Sequence, residues 1–200
     1  MPGEEGDILQ ALRERLIGVC REAYALGLTL GTSGNISVRA GSGKILIKAT
    51  GASMGNMTEK DTVLVDMDGN IVEETAARPS TEVLFHAAIY GVREDVGAVV
   101  HLHPPYTTAF AHLQSFPPLL TATSRAYLKD KMALIPKAPA GSAELASLVE
   151  SAFRSPDIMA ALLADHGNVT VGSDLYSAFY LAQYLEDACR MAVVVQQLKK

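Results

Sequence analysis

The chain has 200 residues, 48% of them hydrophobic and 20% charged, with a formal net charge of −5. That length is ample to bury a real core in one domain. The acidic balance excludes a broad electrostatic surface for nucleic acid, and no apolar run reaches the roughly 18 residues of a membrane span.

The start, "MPGEEGDILQ", is acidic and lacks the basic and apolar regions of a signal peptide, so a cytoplasmic protein is expected. Residues 7–27 place Ile8, Leu12, Leu16, Val19 and Ala23 on one helical stripe, with Gly27 as the stop. A small polar loop, "GTSGN", then leads into a hairpin over residues 36–49. "TVLVDMDGNIV" repeats the hairpin pattern around Asp68 and Gly69.

"STEVLFHAAIYG" predicts a helix with Ser80 or Thr81 as its cap and Gly91 as its end. "GAVVHLH" predicts a short buried strand, "TTAFAHL" a short helix, "MALIP" a strand and "SAELASLVESAF" a helix. "IMAALLADHGNVTVG" reads as a strand, a tight turn and a strand, and residues 175–200 as a long closing helix. Strands and helices interleave throughout, which predicts one α/β domain over residues 1–200 with a mixed sheet covered by helices. Cys20 and Cys189 stand alone in helical segments, as buried thiols of a reducing compartment do.

Two of the five histidines, His101 and His103, fall at the end of an apolar strand, just before Pro104 and Pro105. Alternation puts both on one face, about 6.6 Å apart along the chain, within reach of one divalent ion. His166 in "LLADHGNV" also follows an apolar run and precedes a glycine turn. Three imidazoles with an open fourth position are the ligand set of a catalytic zinc. Hydrogen-bonded histidines that simply finish strands fit the same spacing. Glu82, in a helix first turn, suits the helix dipole. It suits equally a carboxylate that ligates a metal at rest and carries a proton once substrate displaces it. His86 and His112 lie in helical patterns and read as structural.

Three clusters of small polar residues adjoin strands or open a helix: residues 31–35, 49–51 and 79–81. Backbone N–H groups, hydroxyls and an Asn amide can hold a phosphate dianion there without any lysine. Neither a Walker-type loop nor a GxGxxG opening a helix is present, so nucleotide binding is not supported.

Taken in order, "GTSGNISVR", "ATGASMGNMTEKDTVLVDMDGNIV", "RPSTEVLFHAAIY", "GAVVHLHPPYTTA" and "LLADHGNVTVG" resemble the class II aldolase/adducin family, in particular its L-fuculose-1-phosphate aldolase branch. The resemblance runs from about residue 24 to 190. It implies a three-layer α/β/α fold around a mixed, largely antiparallel sheet. It implies Zn2+, one per subunit, held by His101, His103 and His166, with other divalent ions able to replace it. Glu82 becomes the acid/base and a ligand of the empty site. The substrate phosphate would lie against Asn35, Thr50, Gly51, Ser80 and Thr81, with Thr32, Ser33 and Gly34 shaping the pocket. The implied assembly is a cytoplasmic homotetramer with its site at a subunit interface.

The implied reaction is cleavage of a phosphorylated ketose, such as L-fuculose 1-phosphate, to dihydroxyacetone phosphate and an aldehyde through metal-stabilised enediolate chemistry. On the same scaffold, pentulose-phosphate 4-epimerases carry Asp where this chain has Glu82. Decarboxylases of the 3-oxo-tetronate 4-phosphate type keep the Glu but often have Lys in place of Thr81. The family's general-acid tyrosine has no evident match: Tyr127 is nearby but shifted. Asn168 stands where the family usually has an aliphatic residue.

Overall fold

A computed structural model describes residues 2–41 and 43–199, with side chains from residue 6 onward. Seven strands form one sheet, in the order β3-β2-β1-β4-β7-β6-β5. The strands are β1 (Asn35–Arg39), β2 (Lys44–Lys48), β3 (Thr62–Asp66), β4 (Ala98–Leu102), β5 (Met132–Ile135), β6 (Ala160–Leu163) and β7 (Gly167–Gly172). Every neighbouring pair is antiparallel except β5 and β6. Parallel neighbours need a crossover, and helix α5 (Ala143–Phe153) supplies it. The remaining helices are α1 (Pro2–Ala25), α2 (Val83–Val92), α3 (Pro105–His112), α4 (Ala122–Leu128) and α6 (Leu175–Leu198).

The strand alternation sorts side chains into two layers of core. Ile45, Ile47, Val63 and Val65 face α2 and α5, packing with Phe85, Ile89, Val149 and Phe153. Leu46, Ile36, Val38 and Val100 face the other way, onto Leu16, Val19 and Cys20 of α1 and Phe179 of α6. Farther along that second face, Ala160 and Leu162 meet Leu181, Leu185 and Cys189 of α6, together with Ala111 and Leu128. The result is the three-layer arrangement, with α2 and α5 on one side and the other helices opposite. Cys20 and Cys189 are both buried free thiols, and burial pushes each up to about 12.

Several local expectations need correction. Ile8 is 58% exposed, so the core-facing stripe of α1 begins later, with Leu9 and Leu12 half-buried against the core and Leu16 fully buried. Helix α2 is capped by neither hydroxyl: it starts at Val83 with Glu82 in the capping position, and Gly91 lies inside it. The Ser80 hydroxyl instead accepts from the Glu82 N–H, which fixes the turn leading in. Helix α3 begins at Pro105 rather than Thr107, because proline tolerates a first-turn position that leaves its nitrogen unbonded. Helix α4 has no counterpart among the expected elements; Thr121 and Ser124 cap it reciprocally. The second hairpin keeps only one bridge, between Val65 and Ile71.

Candidate metal centre

The site sits where β4 ends beside the turn between β6 and β7. His101 is the fourth residue of β4, paired with Asn35 of β1 on one side and Val169 of β7 on the other. His103 lies just past the strand. His166 closes the turn that joins β6 to β7, where its N–H donates to the Leu163 carbonyl (3.1 Å). The three rings meet edge to face, with centroids 4.7 to 4.9 Å apart. One nitrogen from each lies within 4.8 Å of the others. Two glycines make this convergence sterically possible. Gly34, at φ +72°, presses on the His101 carbonyl; a Cβ there would stand 2.9 Å from that oxygen. At Gly167 a Cβ would stand 2.8 Å from the His103 ring.

The donor set fits a divalent cation. His101 Nδ1 donates to the Asn168 carbonyl (2.7 Å), which leaves its Nε2 lone pair facing the site. That Nε2 stands 2.8 Å from His103 Nε2. Burial, together with the neighbouring imidazoles, pushes His103 down to about 3 and lowers His166 as well. Proton-free imidazoles are what a metal requires. Glu82, 6% exposed, completes the set. Its Oε2 lies 3.1 Å from His101 Nε2, and its Oε1 lies 3.3 Å from His166 Nε2. Burial pushes the Glu82 carboxyl up, but in the metal-free site the attraction of His101 and His166 when they carry a proton, together with the Asn35 amide, outweighs it and holds the group well below the usual carboxylate range. Oε1 is buried without a hydrogen-bond partner among the described residues. A cation between the imidazoles and this oxygen would satisfy it.

The three small polar loops are tied together at the same end of the sheet. Lys48 is 2% exposed and donates to the carbonyls of Thr32 and Ala49 (3.2 Å each). Ala49 bridges Pro79, and the Ser80 N–H donates to the Lys48 carbonyl (3.1 Å). Loop 31–34 runs directly into Asn35, and loop 79–81 runs directly into Glu82, so both loops abut the histidines. Thr32, Thr50, Gly51 and Thr81 are exposed, Ser33 is half-buried, and Gly34, Asn35 and Ser80 are buried. Lys48 is a functional candidate that the sequence reading misses, since the cradle is expected there to work without lysine. The available signal is a second lysine closing the apolar run of the strand "KILIK".

The other candidates separate from the centre. Tyr127 stacks on Tyr184 (centroids 4.6 Å) and lines a cavity of about 500 Å³ with Gly172. That is the far end of β7, roughly 17 Å along the strand from Gly167 by its rise per residue. His112 pairs with Asp165 on the surface. Asn168 gives its carbonyl to His101, while both polar atoms of its own amide are buried without partners among the described residues. Nothing in the structure explains that amide.

An antiparallel-dominated sheet with helices on both faces and a trihistidine cluster at a strand end defines a class II aldolase-type domain. The chain belongs to the Class II Aldolase and Adducin N-terminal domain family, which matches residues 14–193. An L-fuculose phosphate aldolase of Methanococcus maripaludis is 34% identical over 92% of this chain and 97% of its own length. A 3-oxo-tetronate 4-phosphate decarboxylase of Haemophilus influenzae is 33% identical over 94% and 90%. Among solved structures, the L-fuculose-1-phosphate aldolase from Thermus thermophilus is 29% identical. It aligns at a TM-score of 0.79 over 96% of this chain and 95% of that one. These relatives support an aldolase or related lyase activity on a sugar phosphate.

Proposed function

We propose that the protein is a zinc-dependent aldolase. It cleaves a phosphorylated ketose of the L-fuculose 1-phosphate kind into dihydroxyacetone phosphate and an aldehyde. The observation that carries this reading is Glu82 lying across the three histidines, in contact with two of them. A zinc ion held by His101, His103 and His166 would supply Lewis acidity to the oxygens beside the breaking bond.

The protein does the rest. Thr50, Gly51, Ser80 and Thr81, with Asn35 and the turn of Thr32, Ser33 and Gly34, hold the substrate phosphate. Buried Lys48 places a positive charge beneath two of those loops. Anchoring the phosphate fixes the three-carbon half against the histidines, so binding energy becomes orientation. Glu82 delivers a proton to the carbon left electron-rich by cleavage, and removes it in the synthetic direction. With a metal bound and no substrate, the same carboxylate would serve as a further ligand.

Assembly as a cytoplasmic homotetramer, with the site completed at a subunit boundary, fits the exposed Leu113, Phe116 and Leu120. They follow α3, which leaves the sheet beside His103. The whole chain acts as one domain in this reading. No helix among the described residues is long and apolar enough to cross a membrane.

A decarboxylase working on a 3-oxo-tetronate 4-phosphate is the second reading, favoured by the Haemophilus relative. It would use the same cradle and the same Glu82 proton, with CO₂ leaving in place of the aldehyde. One screen separates the two. Metal-loaded protein is offered ketose 1-phosphates and sugar-acid phosphates, and products are identified by mass. Chelator-sensitive dihydroxyacetone phosphate is expected. CO₂ from the acid, without it, would replace the first reading by the second.

A further inference from the structure

Behind Glu82 lies an ordered polar seam between β1 and α2. Asn35 and Ser37 are two residues apart on the strand and share a face; Glu82, His86 and Tyr90 succeed one another at four-residue steps and share a helix stripe. The two series interleave. Asn35 Nδ2 donates to Glu82 Oε2 (2.9 Å). Asn35 Oδ1 meets His86 Nε2. His86 Nδ1 meets the Ser37 hydroxyl (2.7 Å), which meets the Tyr90 hydroxyl (2.9 Å). Arg39, two residues beyond Ser37, lies over the Tyr90 ring at 4.8 Å. Asn35, Ser37, Glu82, His86 and Tyr90 are all buried.

Only one assignment of protons satisfies every member with each bond donating toward the carboxylate. The Tyr90 O–H donates to Ser37, the Ser37 O–H donates to His86 Nδ1, His86 Nε2–H donates to Asn35 Oδ1, and Asn35 donates to Glu82. The terminal carboxylate can only accept, so it sets the direction. Burial pushes His86 down to about 3, which keeps it neutral, and pushes Tyr90 up, which keeps its proton in place.

We infer that His86 is a positioning residue. In its Nε2–H tautomer, fixed by Ser37, it prevents the Asn35 amide from flipping, so an N–H always faces the Glu82 carboxylate. The flipped amide would set a carbonyl oxygen against a carboxylate oxygen, and Glu82 would turn away from the reacting carbon. This rests on the aldolase or decarboxylase reading for its catalytic consequence, but the seam itself is a property of the metal-free protein.

Two sets of measurements test it. In metal-free protein labelled with ¹⁵N-histidine, NMR should show His86 neutral and in the Nε2–H tautomer, and Ser37→Ala should shift it to a tautomer mixture. Exchange of the Asn35 side-chain amide with water should be slow. It should speed up in His86→Leu and recover in His86→Gln, whose amide can donate from nearly the same place. An Nδ1–H tautomer in the native protein overturns the inference, as does unchanged Asn35 exchange in His86→Leu. If that variant does not fold, Ser37→Ala alone decides through the tautomer.

Kinetically, His86→Leu should lower kcat about 10- to 100-fold, as loss of such supporting contacts does, with KM and metal content held and partial rescue by Gln. A rise in KM at unchanged kcat would assign the seam to phosphate binding and overturn the link to Glu82. If the wild-type protein turns over no sugar phosphate, the proposed function fails, while the NMR result stands by itself.

Discussion

Gly167 passes so close to the end of β4 that a Cβ there would stand 2.3 Å from the Leu102 carbonyl oxygen and 2.8 Å from the His103 ring. Leu102 is the residue between two of the candidate ligands, and Gly167 follows the third. The contact is therefore where the two strand ends are pressed together, and it sets how near the imidazoles can come. A methyl group at residue 167 cannot be absorbed by a flexible side chain, because the obstacle is backbone.

Gly167→Ala should accordingly cost about 1–3 kcal/mol of stability, the usual range for overpacking, and should also separate His166 from the His101–His103 pair. Thermal unfolding reads the first effect and zinc binding by calorimetry reads the second. Loss of stability with unchanged zinc affinity would mean that the strand ends yield elsewhere and the contact does not set the ligand spacing.

Glu82→Gln keeps the shape of the side chain and removes both its charge and its capacity to carry a proton. Zinc should remain bound through the three histidines, since the amide still offers an oxygen. Turnover should fall by about 10²- to 10⁴-fold, the range for losing a general acid or base. Elemental analysis and steady-state rates on one preparation check both halves. Turnover near wild type would remove Glu82 from the proton-transfer role.

The legibility of this chain is uneven, for physical reasons. The strands and long helices follow from apolar periodicity, a local signal that survives folding. Strand-ending imidazoles with proline or glycine just beyond mark His101, His103 and His166 singly; that they converge is implied by the family resemblance, and the pairing of β4 with β7 brings it about. Helix α4 is not legible because "TATSRAYL" has little apolar periodicity, and its reciprocal Thr121–Ser124 cap resembles an ordinary polar turn. The start of α2 is ambiguous because Ser80, Thr81 and Glu82 are all acceptable near a helix start; the bond from the Glu82 N–H to Ser80 decides among them. Lys48 and the seam behind Glu82 depend on which strand lies beside which. Nothing near Asn35 in sequence announces that His86, 51 residues away, will fix its amide.

Lys48 offers a test of the cradle. Burial lowers the pKa of its ammonium group, yet it bonds two loop carbonyls and lies beneath the expected phosphate site. Lys48→Met preserves most of the aliphatic stem and removes the charge. If that charge helps hold a dianion, KM for the phosphorylated substrate should rise by about tenfold, the factor of a single ~1.4 kcal/mol contact, and kcat should change less. An equal fall in kcat at constant KM would place the effect on the reacting carbon instead.

Acid should weaken the metal-free protein in a window set by its histidines. His86 and His103 are both held near 3 in the fold, against 6.5 for an ordinary histidine. Below pH 6.5 the unfolded chain binds protons that the folded chain refuses, so stability falls as pH drops, by up to ~1.4 kcal/mol per pH unit for each such group. Glu82 acts in the same direction: its folded pKa is depressed, so its contribution is present above the unfolded value and is lost on acidification. Zinc should deepen the effect, because a bound ion stabilises only the proton-free imidazoles; at a hundredfold excess over its Kd it adds about 2.7 kcal/mol. Thermal unfolding from pH 7.5 to 5, with zinc and with chelator, should give two falling curves that draw together toward low pH. Parallel curves would mean that the ion does not sit on the histidines that titrate.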